Sequence, residues 1–283
     1  MLYMIGSAAG FSVMSLLVKL ASEDLPTGEI VLARAIVTLG LSYAMVRRAR
    51  LPTWGTQHAG LVFRGLLGFG GLAGYYVALA RLPLADATTL QNTTPLLTAG
   101  LAWWLLGEQI GWAAAVAIGL GLAGVLLVAH PTGGALDPLG IAAAVGGATC
   151  SAIAYVTVRK LARTEHPLVI VFYFPLVATP LAIPWALADF AWPSVGQLGL
   201  LIAIGVATQV GQVCLTMGLS LERAGRATSV GYLQVCFAMI WQVVVFDVSP
   251  AATTIAGAAL IIVGTLVTAG SSSRSPTPPA SPA

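Results

Sequence analysis

Residues 19–26 read KLASEDLP and residues 160–167 read KLARTEHP, so Lys, Leu, Ala and Pro recur 141 positions apart and Asp24 is answered by Glu165. Each copy sits between two long apolar runs. A short polar connector written twice, half a chain apart, implies two duplicated halves. The runs around it say what was duplicated.

Of the 283 residues, 58 % are apolar and only 8 % are charged, against roughly 25 % charged in an ordinary soluble domain. So few charges cannot solvate a globule of this size, which makes lipid the solvent. A bilayer-spanning helix needs about 20 mostly apolar residues, and ten such segments are present, at 2–22, 27–46, 58–80, 84–106, 110–130, 139–160, 167–187, 195–219, 226–246 and 250–269. The runs are continuous and lack the short alternating pattern of barrel strands, so the expected fold is all-α and integral to the membrane. The first run has no basic start and continues past the core length of a signal peptide, so it reads as a span rather than a leader. Residues 271–283, SSSRSPTPPASPA, read as a disordered tail.

Lys and Arg mark cytoplasmic loops. With the N-terminus inside, Arg47, Arg48, Arg50, Arg159, Lys160, Arg163, Arg223, Arg226 and Arg274 are all cytoplasmic, nine of thirteen basic residues. Both termini are therefore expected inside, in a bacterial-type inner membrane. The net charge of +3 then reports topology. No basic stripe with interleaved aromatics exists for nucleic acid, so no nucleic-acid partner is expected.

Ten spans divide into a first repeat, 1–130, a connector, 131–138 (PTGGALDP), and a second repeat, 139–270. Further echoes occur at an offset of 140, where Ala87-Thr88 matches Ala227-Thr228, and Gly124 and Leu126 match Gly264 and Leu266. An odd number of spans per repeat forces the second copy to enter the membrane from the opposite side. The result is two inverted-topology five-helix repeats, a recurring plan of secondary transporters with the substrate site at the repeat interface.

LGEQIG at 106–111 closes the fourth span, preceded by ALARLPLADATTLQNTTPLLTAGLAWWLLGE (78–108) with Pro95 inside, and the fifth span carries the Gly-rich IGLGLAGVLL. On these stretches the chain resembles the drug/metabolite transporter superfamily, EamA type, and within it the YddG-type bacterial amino-acid exporters. The resemblance implies an inner-membrane exporter of aromatic and other neutral amino acids. The second half departs from the pattern, with FDVSP (246–250) in place of a second Gly-Glu pair and Val235 near the counterpart of Pro95.

Polar uncharged residues inside spans are costly without a partner or water and so nominate the substrate path. They are Ser12 in span one, Tyr75 and Tyr76 in span three, Gln91 and Asn92 in span four, Tyr155 in span six and Tyr173 in span seven. Gln209 and Gln212 in span eight, and Tyr232, Gln234 and Trp241 in span nine, complete the set. Thr88, Gln91 and Pro95 fall on one face of a continuous fourth helix. Gly70, Gly74, Pro95 and Pro175 are candidate gating or flexing points. Spans five and ten, rich in Gly119, Gly121, Gly124, Gly257 and Gly264, read as peripheral packing helices.

All ten acidic residues fall at span ends or in loops, Glu29 and Asp86 penetrating furthest, so no midplane carboxylate relay is expected. Arg34 and Arg64 are the charges inside spans. Each either snorkels to the nearest interface or pairs with a buried carbonyl or a substrate carboxylate. His58, His130 and His166 lie at span ends, Cys150, Cys214 and Cys236 lack metal spacing, and no HExxH, GxSxG or phosphate loop occurs. No enzyme, cofactor or metal is indicated. The reading is a transporter, monomeric or weakly dimeric, that exports neutral amino acids by alternating access. A broader drug/metabolite efflux protein is the alternative, with a passive channel behind it.

Overall fold

The computed structural model describes residues 1–82, 90–129, 137–247 and 252–270. Most of the expected connector, the tail, Asp86, Thr88 and His130 lie outside these residues. Every regular element described is helical: α1 (Leu2–Ala21), α2 (Thr27–Arg48), α3 (His58–Arg81), α4 (Thr94–Leu106), α5 (Trp112–Ala129), α6 (Pro138–Leu161), α7 (Pro167–Ala188), α8 (Val195–Leu221), α9 (Ala224–Val230), α10 (Leu233–Phe246) and α11 (Ala252–Gly270). Six of them, α1, α2, α3, α6, α7 and α8, are long and apolar enough to cross a membrane, and α4, α5 and α11 contain shorter apolar helical stretches. Large side chains point outward all round the bundle, among them Trp104, Leu187, Val244 and Leu266, as a lipid-solvated surface requires.

Small residues decide how the helices meet. Along α6 the buried positions are Gly140, Ala144, Gly147, Ala148, Ala152 and Ala154 before larger residues take over. This seam faces α3, where a methyl group on Gly74 would lie 2.7 Å from both Ala143 O and Gly147 Cα. Gly71 meets Gly147 and Ser151, and Gly60 meets Leu161. Residue numbers rise on one helix as they fall on the other, so α3 and α6 are antiparallel. The same reading makes α1 antiparallel to α8 (Gly10 on Gly211, Gly6 on Cys214), and α2 antiparallel to α7 (Gly28 on Trp185, Tyr43 on Phe172). It also makes α5 antiparallel to α11 (Gly124 on Gly257, Gly264 on Ala117). In contrast α2 runs parallel to α8, and α3 parallel to α7, as Val37 on Gly205, Ser42 on Gln209, Val177 on Gly65 and Trp185 on Tyr76 require. Chaining these relations, α1 and α6 run in opposite directions.

Two stretches differ from the sequence expectation. Leu90 and Gln91 are helical, but Asn92 and Thr93 form a turn before α4. The expected single face of Thr88, Gln91 and Pro95 is therefore interrupted. Pro95 does not bend a helix from within. It stands in the first turn of α4, where its missing N–H is not needed. The ninth span is likewise two helices, α9 and α10, separated by a turn at Gly231–Tyr232. By contrast, α3 runs unbroken through Gly70 and Gly74, and α7 through Pro175, Pro180 and Pro184.

Because Gly74 meets backbone, Gly74→Ala is expected to destabilise by roughly 1–3 kcal/mol through overpacking, although Ala is the better helix former. Gly100, in α4, faces open space, and Gly100→Ala is expected to be neutral or stabilising by up to about 1 kcal/mol. Thermal melting of the purified full chain in detergent checks both signs together.

Candidate functional site

Each helix interruption frees backbone groups that lipid cannot satisfy, and the local side chains take them up. In the turn before α4, Thr93 Oγ1 donates to Leu90 O (2.6 Å), Thr94 Oγ1 to Gln91 O (2.7 Å) and Thr98 Oγ1 to Thr94 O (2.8 Å). The remaining carbonyl, Asn92 O, accepts from Tyr232 Oη at 3.1 Å, and Tyr232 is itself the turn between α9 and α10. The two interruptions are therefore joined directly. Tyr232 is 1 % exposed and its ring lies over Gly121 of α5, where any side chain would displace it. Gln91 stands beside this joint with Oε1 buried and unpartnered among the described residues.

A second set of contacts runs between α1 and α10. Ser12 Oγ donates to Ala9 O (2.8 Å) and accepts from Trp241 Nε1 (3.1 Å), while Ser15 Oγ donates to Phe11 O (2.9 Å) and accepts from Gln234 Nε2 at 3.5 Å. Ser12, Gln234 and Trp241 thus take part in the contacts between α1 and α10, Trp241 through Ser12 and Gln234 through Ser15. Tyr75, Tyr76 and Trp185 form an edge-to-face series at the far end of α3, with ring centroids 6.2 and 5.6 Å apart. Gln212 is buried on α8, and among the described residues no group hydrogen-bonds its amide. Tyr155, half-buried on α6, lies within electrostatic reach of Arg64.

Two nominated residues stand elsewhere. Gln209 accepts from Ser42 Oγ (3.0 Å) and donates to Met45 Sδ (3.4 Å), so its amide locks α8 to α2. Tyr173 donates to Trp54 O (2.7 Å), with His58 Nδ1 3.2 Å from its hydroxyl. It belongs to a clasp at the end of the bundle that carries the basic loops. There Glu165 Oε1 accepts from Thr56 N, Thr56 Oγ1 and Gln57 N at 2.6–2.7 Å, which ties the second polar connector to the loop after α2. At the same end Glu108 accepts from Arg159 Nε (2.9 Å) and from Ala224 N (3.0 Å), and Arg159 Nη1 donates to Ser220 O (2.8 Å). These groups border a cleft of about 510 Å³ that also takes in Trp112, Glu222, Arg223 and Arg226. Glu108, in LGEQIG, thus ties the loop after α4 to α6 and to the start of α9, a role its loop position did not reveal.

Of the two readings of Arg34 and Arg64, the structure does not show snorkelling: they are 8 % and 2 % exposed. Among the described residues the hydrogen-bond contact of Arg34 Nη1 is Met14 Sδ at 3.8 Å. Glu29 is also buried, with Oε2 accepting from Ala191 N at 3.3 Å and Oε1 unpartnered among the described residues.

Together the helices and the paired interruptions define a polytopic membrane protein of the transporter type. The sequence pattern of the EamA-like transporter family matches residues 1–129 and again 138–270, and the chain belongs to that family. It is 36 % identical over 256 residues, 89 % of each chain, to the pseudopaline exporter CntI of Pseudomonas aeruginosa. It is 31 % identical to a probable transport protein of Saccharomyces cerevisiae, over 73 % of this chain and 66 % of that one. The S-adenosylmethionine uptake transporter of Rickettsia prowazekii is 28 % identical over 72 % of this chain and 69 % of its own. A solved crystal structure superposes with a TM-score of 0.82 at 20 % identity, covering 95 % of this chain and 98 % of the other, which shows the shared fold. The chain is accordingly a multi-pass membrane transporter of a small molecule and not an enzyme.

Burial pushes the Glu165 carboxyl up, but the Thr56 hydroxyl and the Gln57 and Thr56 N–H groups outweigh it and hold it below its ordinary value of 4.5. A carboxyl lowered in the folded state contributes stability above that ordinary value, and loses it as pH falls through the folded value. Glu165→Gln is expected to cost roughly 1–3 kcal/mol at neutral pH. Melting curves of both proteins should converge as pH drops below about 4.

Proposed function

We propose that the protein is a secondary transporter that exports small polar metabolites, amino acids among them, across a bacterial-type inner membrane by alternating access. Ten spans, two inverted five-helix halves and a cytoplasmic basic end belong to this reading. It is supported by the opposite run of α1 and α6 and by the family pattern falling twice along the chain, on either side of residues 130–137. The pairing of helices also exchanges the halves, since α1 on α8 corresponds to α6 on α3, while α2 on α7 and α5 on α11 correspond to themselves. The unit is a monomer or a weak dimer.

The observation that carries the reading is the hydrogen bond between the two interruptions, Tyr232 Oη to Asn92 O, with the unpartnered amide oxygen of Gln91 beside it. Interrupted spans are where transporters expose backbone and side-chain groups to cargo. A joint made by one hydrogen bond can open and reform as the halves rock. The substrates in the relatives' names, pseudopaline for one and S-adenosylmethionine for another, favour a cargo range wider than neutral amino acids. Facilitated export or exchange is the proposed mode.

Gln91→Ala and Gln212→Ala are each expected to lower transport about tenfold, near 1.4 kcal/mol, at unchanged expression. Initial rates of radiolabelled amino acids in proteoliposomes measure this, and normal rates in both variants sink the assignment of the path. The same vesicles, with and without an imposed pH gradient, test the mode. Flux that saturates and persists without the gradient is expected. Flux that vanishes without it overturns facilitated export, and flux that never saturates indicates a channel.

A further inference from the structure

We propose that Arg64 is the receptor for a carboxylate on the transported metabolite, which makes the cargo class anionic or zwitterionic organic acids. This rests on the transporter reading and names the chemistry of its site. Arg64 lies in the half of α3 nearer the basic end, less than two turns from His58. It is 2 % exposed, and its Nε and Nη1 are buried with no hydrogen-bond partner among the described residues. Its guanidinium stacks on the Phe174 ring, 4.7 Å from the centroid, and the Tyr155 phenol is within electrostatic reach. Gly68, one turn along, would put a methyl 2.8 Å from the Phe174 ring and 3.4 Å from Nη1, so the absent side chain lets the ring and the guanidinium meet.

A buried guanidinium without a counter-charge is among the most costly things a protein can hold. A ring face recovers only a small part of the lost hydration. The acids at the same end are already engaged. Glu108 holds Arg159, Glu165 holds Thr56 and Gln57, and Glu222 lies 3.5 Å from Arg226 and 3.8 Å from the N-terminal amine. An arrangement that keeps a planar, bidentate cation dry and unpaired fits a carboxylate that arrives and leaves. Arg34, with its Nη1 3.8 Å from Met14 Sδ, is a second buried cation further along the bundle.

The test uses the purified full chain in detergent, where binding is read without transport. Benzoate, succinate and phenylalanine are compared with benzamide, succinamide and phenylalaninamide by the rise in melting temperature each produces. At least one carboxylate is expected to stabilise the wild type well beyond its amide, with apparent affinity weakened roughly tenfold or more in Arg64→Gln and partly kept in Arg64→Lys. Without ligand, Arg64→Gln should melt at or above the wild type, because an uncompensated charge has been removed. Three results overturn the proposal: carboxylates and amides acting alike, Arg64→Gln keeping the shift, or Arg64→Gln melting well below wild type, as a structural arginine would. In proteoliposomes, phenylalanine and phenethylamine distinguish the two claims. Carboxylate binding without any flux defeats the transporter reading alone, whereas equal flux of both probes defeats the role of Arg64 alone.

Discussion

A helix that stops inside an apolar environment must place its freed carbonyls somewhere, and that constraint shapes the centre of this protein. The turn before α4 is built from Asn92, Thr93, Thr94 and Pro95, residue types that start helices and supply hydroxyls to nearby carbonyls. The Thr93 and Thr94 hydroxyls cover the Leu90 and Gln91 carbonyls, and Asn92 O is handed to Tyr232 of the opposing interruption. Neither break is self-sufficient. Tyr232 has to be brought to Asn92 by the packing of α5, whose Gly121 makes room for its ring. The Gly-rich fifth span, which looked like a packing helix alone, thereby sets the position of the joint.

That joint is held within a frame of close helix contacts. Lipid offers no hydrophobic drive for helices to associate, so the frame depends on van der Waals contact and hydrogen bonds between backbones that small residues allow to approach. The α3–α6 and α1–α8 seams are rich in Gly and Ala, and they relate to one another as the two copies of a duplicated contact would. Polar clasps then reinforce the basic end, where Glu165 and Glu108 each join elements distant in sequence. The second connector, KLARTEHP, is consequently a working contact: its Glu165 is tied down, and its His166 caps α7 by accepting from Leu168 N. The first, KLASEDLP, has its Glu23 and Asp24 exposed to solvent.

Most of the fold was legible in the sequence because a span is a property of about twenty consecutive residues, and composition alone reports it. The helix limits at α1, α2, α3, α6, α7 and α8 fall within a few residues of the apolar runs. The interruptions were less visible. Asn-Thr-Thr-Pro at the first was read as the interior of a continuous span, and Gly231-Tyr232 is a single small-aromatic pair in a run otherwise apolar, where nothing local separates it from packing. The site was legible in part. Ser12, Gln234 and Trp241 were nominated singly as polar groups inside spans, and their contacts between α1 and α10 arise from packing that no local pattern reports. The partners that hold Gln209 and Tyr173, Ser42 and Trp54, are distant in sequence and carry no periodic signal. Whether an arginine near a span end snorkels or turns inward depends on the rotation of its helix. A sequence gives that rotation only when one face is distinctly polar, and α3 is apolar or glycine on nearly every side.

The distribution of charge has a consequence of its own. Arg34 and Arg64 are buried inside the bundle, and charge held in a low-dielectric medium acts over long distances. An aromatic and amide lining tolerates many solutes and rejects few. A buried cation discriminates sharply, since a neutral or cationic solute leaves it unpaired while a carboxylate relieves it.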